Sequence, residues 1–323
     1  MIKNNYFYLI TFIYAISLWS CSSEQMEEVE TPVTFSICLD NDKTHSRAIS
    51  DGTSVDQLMY AVYTTDGVPV IQKQTMNNAG KIGTEEGLDL IVTVRKGLEY
   101  KLVCWAQNSQ CNAYTVSDDM QKVAIDYQGA NNDELRDAFF GISEPFSAND
   151  KKLEVKLKRP FAQVNVGAHP FEWKYVKEHH QFNITQSGIA IKGIANVLNL
   201  LDGTVSGTVD VNFDPAPLPA DRLYIDVDEN GADEEYIYVS MSYVLASDTE
   251  TEHDVDVFFC NESGQMVMLN KRQEQDPEET KEGHTGKIKI QRNRQSNIVG
   301  QVLTSSGELE IIQSPEGSNE TTN

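Results

Sequence analysis

Residues 236–245, YIYVSMSYVL, form the longest stretch of the chain in which two sets of side chains alternate with a period of two. This period puts successive side chains on opposite faces of a β-strand, so the stretch predicts a strand. Residues 153–157 (LEVKL) and 287–290 (KIKI) alternate in the same way, which predicts one buried and one solvated face for each. Shorter β-branched or aromatic runs lie at 88–94, 100–106, 161–166 and 255–260, with turn signals such as Asp66-Gly67, Asp202-Gly203 and Asn230-Gly231 between the runs.

Many short strands with turn signals between them predict an all-β chain, and 323 residues are enough for two domains with separate cores. We expect two β-sandwich domains in tandem, at 48–159 and 160–313, with the second beginning after Arg159-Pro160. The polar residues 314–323 lack the apolar content to pack and predict a disordered tail. Residues 132–140 carry apolar side chains at a helical spacing and predict a short loop helix.

The first residues of the chain predict export and lipidation. Lys3 precedes an apolar run at 6–18, which is too short to span a bilayer as a helix and is typical of a secretory signal. The run ends in Leu18-Trp-Ser-Cys21, a pattern typical of bacterial lipoprotein signals. Cleavage before Cys21 would remove 1–20 as a lipoprotein signal peptide and free Cys21 for acylation, palmitate included. The alternative is an ordinary signal peptide with an incidental cysteine.

The lipidated leader, residues 21–47, contains a further strand. Residues 33–39, VTFSICL, place Val33, Phe35, Ile37 and Leu39 on one face, which predicts a half-buried strand. A polar linker with an arginine, Arg47, joins this strand to the rest of the chain. Spacing alone favours an ordinary first strand and loop.

Charge and cysteines limit the possible partners and cross-links. The formal net charge of −23 argues against nucleic acid and anionic lipid surfaces, since both need basic patches. If Cys21 carries lipid, four cysteines remain: Cys38, Cys104, Cys111 and Cys260. They allow three full disulfide pairings, and Cys104 and Cys111 could close a short loop. We favour unpaired core residues, because Cys104 and Cys260 follow or precede aromatic side chains.

Several strings resemble the fimbrillin superfamily of surface lipoproteins, which includes the pilins of type V pili in Gram-negative gut and oral anaerobes. They resemble a two-domain fimbrillin-like subfamily whose members mostly lack an assigned function. The strings are VDQLMYAVY at 55–63, LVCWAQ at 102–107, ELRDAFF at 134–140, LKRPFAQVNVG at 157–167 and YVSMSYVLA at 238–246.

The resemblance implies transthyretin-like, fimbrillin-type sandwiches on a lipid-anchored protein of the outer membrane and cell surface, with other pilus subunits as partners. It also implies assembly by proteolysis. An arginine-specific protease would cut at Arg47-Ala48, the strand that carries Val33, Phe35, Ile37 and Leu39 would leave, and the donor strand of another subunit would take its place. Leu309 and Ile311 are the candidate donor residues here. These two apolar side chains are fewer than the four that the leader strand places in the core. Residues 309–313 could therefore be an ordinary last strand instead. The chain would then accept a strand without donating one, as a tip or accessory subunit, or, with Arg47 uncut, remain a basal or monomeric lipoprotein.

Metal and catalytic motifs are weak in this sequence. Asp226, Asp228 and Asn230 begin like a calcium loop, but Ile237 stands where a bidentate glutamate is needed, so an acidic hairpin is favoured over a calcium site. His179-His180 lacks ligands at metal-site spacing, and we predict neither another cofactor nor an enzyme. The main rival to a pilus subunit is a monomeric lipoprotein that binds a glycan or host ligand through Trp173 and Tyr175.

Overall fold

The computed structural model describes residues 30–40, 52–84, 86–179, 183–219, 223–227, 233–264, 266–268, 286–300, 302–303 and 309–315. Within these ranges the strands are β1 (Glu30–Leu39), β2 (Gln57–Thr64), β3 (Pro69–Asn77), β4 (Leu88–Arg95), β5 (Glu99–Gln107), β6 (Tyr114–Val116), β7 (Lys122–Ile125), β8 (Phe139–Ile142), β9 (Phe146–Ser147), β10 (Lys152–Leu157), β11 (Phe161–Ala168), β12 (Ile184–Ile194), β13 (Val197–Asn199), β14 (Val205–Ser206), β15 (Val209–Pro217), β16 (Leu223–Val227), β17 (Asp233–Leu245), β18 (Thr251–Asn261), β19 (Met266–Met268), β20 (Gly286–Ile290), β21 (Arg294–Gly300) and β22 (Leu309–Pro315). One α-helix, α1 (Pro170–His179), is described beside them. The predicted all-β class is confirmed.

The N-terminal half folds as two facing sheets. One has the strand order β10-β1-β4, and the other has the order β3-β2-β5-β8 with β9 beside β5. Strand β4 shows why the sheets pack: Leu90, Val92 and Val94 are buried, and the residues between them are exposed. Every second side chain therefore enters a shared core, which also contains Leu58, Leu102 and Val155 among others.

The C-terminal half repeats this arrangement with longer strands. One sheet has the order β16-β17-β11-β21-β22, and the other has the order β15-β12-β18-β19 with β20 beside β18. Strand β11 is buried along its whole length, as expected for a strand covered on both faces. Its Val164 and Val166 belong to a second core cluster with Ile189, Ile191 and Val257.

The two halves share contacts, so the boundary predicted at 159/160 stays a prediction. Strand β7 of the first half pairs with β13 of the second, which joins β6-β7 and β13-β14 into one sheet. Trp105 of β5 lies edge-on to Phe161 of β11, with 6.5 Å between ring centroids. The buried Arg159 donates from Nε and Nη2 to the two oxygens of Asp137 at 2.5 and 2.8 Å.

The helix content differs from the expectation. The loop helix predicted at 132–140 is only a 3-10 turn at Glu134–Arg136, capped by Asp133, which accepts from the backbone N–H of Leu135. Phe139 then begins β8, in which Phe139 and Phe140 pair with Ala106 and Trp105 of β5. Both phenylalanines are buried. The α1 helix was not predicted, since aromatic residues at every second position from 171 to 175 suit a strand equally well. None of the described helices is long and apolar enough to cross a bilayer.

Candidate functional site

Strand β1 is the central strand of its sheet. Eight of its residues pair antiparallel with β4, from Glu30 opposite Arg95 to Ile37 opposite Leu88. Six pair parallel with β10, from Thr34 opposite Lys152 to Leu39 opposite Leu157. Two further backbone bonds lie at the ends of the β1–β10 pairing, from Thr34 N–H to Lys151 O at 3.2 Å and from Asp40 N–H to Leu157 O at 2.8 Å. A central strand is thus built from the N-terminal leader of the chain.

One face of β1 fills the N-terminal core. Val33, Phe35 and Ile37 have no exposed surface, and Leu39 is also buried. The ring of Phe35 lies edge-on to Phe146 of β9 at 4.8 Å between centroids. Burying four such side chains stabilises the sandwich by roughly 6–12 kcal/mol in total. Without β1, the same core would expose an apolar slot.

The body of the domain fits closely around this strand. A Cβ added at Gly87, where φ is +66°, would lie 2.9 Å from Ile37 O. At Gly52, where φ is +71°, it would lie 2.3 Å from Leu39 Cδ1. The positive φ favours glycine at both positions, and at Gly87 the close approach of the β1 backbone requires it as well. The surface that receives β1 therefore fits the backbone of the strand as well as its side chains.

The opposite face of β1 is held only weakly. Cys38 Sγ donates to Glu154 Oε1 at 3.4 Å, and Arg95 Nε lies 4.0 Å from Glu30 Oε1. Partial burial, and then the hydrogen bond to Glu154, raise the pKa of the Cys38 thiol. The thiol therefore stays protonated at neutral pH and is a poor nucleophile for disulfide exchange. Of the two side-chain faces, the apolar one therefore contributes more to holding β1 in place.

Removal of β1 would expose the inner edges of β4 and β10, which would face each other across the apolar slot. Such a gap accepts an extended segment, because main-chain bonds can form on both sides while alternate side chains fill the pockets. Strand addition is the chemistry that this arrangement supports. It needs no titratable catalytic group.

The residues predicted to control that chemistry lie partly outside the described ranges. Cys21, Arg47 and Ala48 all fall there, so lipidation and cleavage remain predictions. The exchanged face is described, but its departure from the sheet also remains a prediction.

The candidate donor segment is a paired edge strand. Strand β22 lies at the end of its sheet and pairs antiparallel with β21, with Leu309 opposite Gly300 and Ile311 opposite Ile298. Pro315 is its last residue. This geometry fits the alternative that 309–313 is the last strand of the second domain, and the donor role stays a prediction.

The calcium candidates lie on a hairpin. Asp226 of β16 pairs with Glu234 of β17, and Asp228 and Asn230 lie outside the described residues. Where the chain is described, no three His, Cys, Asp or Glu side chains are grouped as metal ligands would be. His179 ends α1, and His180 lies outside the description. The antiparallel pairing of β16 with β17 agrees with the acidic hairpin that the sequence favours. The calcium site stays an untested prediction.

The cysteines inside the described ranges are unpaired. Cys104, Cys111 and Cys260 are buried, Cys38 is half-buried, and all four thiols are free. The possible loop between Cys104 and Cys111 is not closed by a disulfide. Burial raises the pKa of the Cys104 and Cys111 thiols. All four are unpaired, as preferred; Cys104 and Cys260 are buried as expected for core residues, whereas Cys38 is half-buried outside the core.

Helix α1 presents an exposed aromatic pair that differs from the pair predicted from the sequence. Phe171 and Tyr175 stack at 6.1 Å between centroids on one face, with 66% and 38% of their surface exposed. Trp173, which was predicted to share a binding surface with Tyr175, is partly buried against the C-terminal core. The i, i+4 spacing of 171 and 175 would have identified the pair, had a helix been expected there.

The comparison with solved structures matches proteins of Porphyromonas gingivalis and Bacteroides thetaiotaomicron, among others. The fimbrial anchor protein Mfa2 of Porphyromonas gingivalis is 11% identical, with 88% of this chain and 97% of that chain covered and a TM-score of 0.47. The C-terminally truncated tip fimbrial protein Mfa3 of the same organism is 12% identical, with 88% and 99% covered and a TM-score of 0.43. A DUF1812 protein of Bacteroides thetaiotaomicron, described as a candidate polysaccharide-binding protein, is 12% identical, with 88% and 99% covered and a TM-score of 0.49.

At these identities and TM-scores, function has to be argued from this chain itself. No curated protein matches the chain. One family model matches residues 23–322, nearly the whole chain after the predicted signal. The chain therefore belongs to the family of unknown function DUF6562.

Proposed function

We propose that this protein is a non-catalytic structural or adhesive subunit of a type V-like pilus on the cell surface. Cleavage after Arg47 would release the leader, and a strand from another subunit would replace β1. The observation that supports this most directly is the position of β1, which is the first described strand of the chain and a central strand of its sheet.

The energetics favour exchange over simple release. Loss of β1 alone would cost the burial of Val33, Phe35, Ile37 and Leu39 together with the pairings to β4 and β10. An incoming strand with the same alternation would restore both. Cleavage removes only the covalent link between β1 and the body, so it permits exchange without itself unfolding the domain.

Arg47→Ala tests the cleavage step. In the native host, the wild-type protein should begin at Ala48 and form SDS-resistant ladders, whereas Arg47→Ala should remain monomeric with its leader attached. Lys43→Ala is the matched control, because it removes a basic residue of the same linker that an arginine-specific protease does not recognise. Ladders that persist in Arg47→Ala would refute cleavage at this site.

A second candidate function is binding of a glycan by a monomeric lipoprotein. The observation that favours it is the stacked, exposed pair of Phe171 and Tyr175 on α1. Two neighbouring rings offer a flat apolar surface, and Tyr175 adds a hydroxyl that can donate or accept a hydrogen bond.

A glycan array separates this candidate from the first. If the pair binds sugar, a Phe171→Ala/Tyr175→Ala double variant should lose at least about tenfold in affinity for any glycan the wild type retains. Val70→Ala is the control, since it removes an exposed apolar side chain on β3. Equal binding by both variants would exclude the α1 pair as the site.

A further inference from the structure

The outer edge of β4 differs from the other long sheet edges in the described chain. Strand β4 has eight residues, and none of them is proline or lysine. It pairs with β1 without a register shift. By contrast, β3 begins at Pro69, includes Lys73 and pairs with β2 through two irregularities. Strands β15 and β22 both contain proline.

Proline, lysine and bulges are among the features by which proteins keep sheet edges from pairing with other chains. Strand β4 lacks all three, and no described strand pairs with its outer edge. Ile91, near its middle, exposes 63% of its surface. A regular edge that is rich in β-branched residues favours addition of another strand.

We propose that the outer edge of β4 pairs antiparallel with the same edge of a second copy of this chain. Centring the two-fold axis on Val92 places Asp89 opposite Arg95 of the second copy, and the symmetry repeats this pair. In the same register, Ile91 lies opposite Thr93 of the second copy on the outer face.

The inner face also matches in this register. Leu90 lies opposite Val94 of the second copy, and Val92 lies opposite its own symmetry mate. All three side chains are buried in the N-terminal core. Directly opposite side chains in an antiparallel pair contact each other, so the apolar row of one sandwich would continue into that of the other.

The charges at this edge support a second copy as the occupant. Asp89 lies 3.5 Å from Lys152, and Arg95 lies 4.0 Å from Glu30, in pairs whose side chains are more than half exposed. Approach of the second copy would place its Arg95 beside Asp89 and its Asp89 beside Arg95. Charges of opposite sign would then alternate across the interface. A register centred on Ile91 would instead leave Asp89 opposite Thr93.

Two-fold pairing closes on itself, so it joins two copies and does not extend a chain. It is therefore distinct from strand exchange at β1. A single pair of strands buries less surface than a standard interface, so the dimer should be weak and dependent on concentration.

Sedimentation equilibrium over a concentration series tests this dimer in the full chain carrying Arg47→Ala, in which cleavage-driven exchange cannot contribute. We expect a monomer–dimer equilibrium that Ile91→Lys abolishes. Asp89→Arg should weaken it at least about fivefold, since it sets arginine opposite arginine, and Asp89→Arg/Arg95→Asp should restore it. Asp66→Arg, in the exposed β2–β3 turn, controls for net charge, and a melting curve confirms that each variant folds.

Three outcomes would overturn the proposal: a monomer at every concentration, a dimer unaffected by Ile91→Lys, or a dimer that Asp89→Arg leaves unchanged. Each would leave the proposal for Arg47 cleavage untouched.

Discussion

Phe35→Ala is expected to lower the free energy of unfolding by about 3–5 kcal/mol. Phe35 is fully buried at the centre of β1, and its ring packs edge-on against Phe146. Truncation removes that contact and leaves a cavity inside the close-packed core, which the surrounding side chains can fill only in part. Urea unfolding of the uncleaved protein, followed by tryptophan fluorescence and circular dichroism, measures the loss.

Ser36→Ala is the matched control for this prediction. Ser36 is the next residue on β1 and lies half-buried on the opposite face, so its truncation should change stability by no more than about 0.5 kcal/mol. A loss below about 1 kcal/mol in Phe35→Ala would mean that β1 contributes little to the core. If β1 leaves during assembly, the same variant should also exchange its strand faster than the wild type.

Arg159→Met is expected to cost about 3–5 kcal/mol, because it leaves the Asp137 carboxylate buried without its cation. Both side chains are almost fully buried, and the guanidinium also lies 4.8 Å from the centre of the Phe139 ring. Asp137 lies just before β8, and Arg159 lies in the connection between β10 and β11. Thermal and urea unfolding measure the effect.

The double variant Asp137→Leu/Arg159→Met should be clearly more stable than Arg159→Met, since it removes the unpaired charge as well as the pair. Lys287→Met is the control, because its ion pair with Glu252 is exposed and should contribute little. Equal losses in Arg159→Met and Lys287→Met would show that burial of the pair has no energetic weight.

Strict alternation was enough to predict strands, because one buried and one solvated face leave a period of two in the sequence. It located β1, β10, β17 and β20 for this reason. It could not give the sheet order, since pairing of β1 with β10 joins residues more than a hundred positions apart. It also missed α1, where helical and strand spacings coincide over a few residues.

The candidate site was only partly predictable. The alternation of 33–39 indicated which side chains of β1 are buried, but it could not show that β1 is central and not an edge strand. Nor could it identify the glycines that receive β1, because Gly52 and Gly87 match no motif and acquire their role through contacts with Leu39 and Ile37. The buried Arg159–Asp137 pair lay within two strings of the resemblance, yet only the fold brings its members together.

A disulfide that holds β1 in its sheet separates departure of the strand from cleavage of the linker. Lys156 of β10 is the register partner of Cys38, and its side chain is exposed. Paired strands lie about 4.8 Å apart, which is within the range that a disulfide spans. Lys156→Cys can therefore bond to Cys38, whereas Lys152→Cys, opposite Thr34, lies too far along the strand and serves as the control.

The decisive measurement is whether Lys156→Cys forms SDS-resistant ladders at the cell surface, with and without reductant. Loss of the two free thiols first verifies that the cross-link has formed. If β1 must leave for assembly, the oxidised variant should be cleaved after Arg47 yet remain monomeric, and reduction should restore the ladder. Ladders of wild-type length formed while the disulfide is closed would contradict strand exchange at β1.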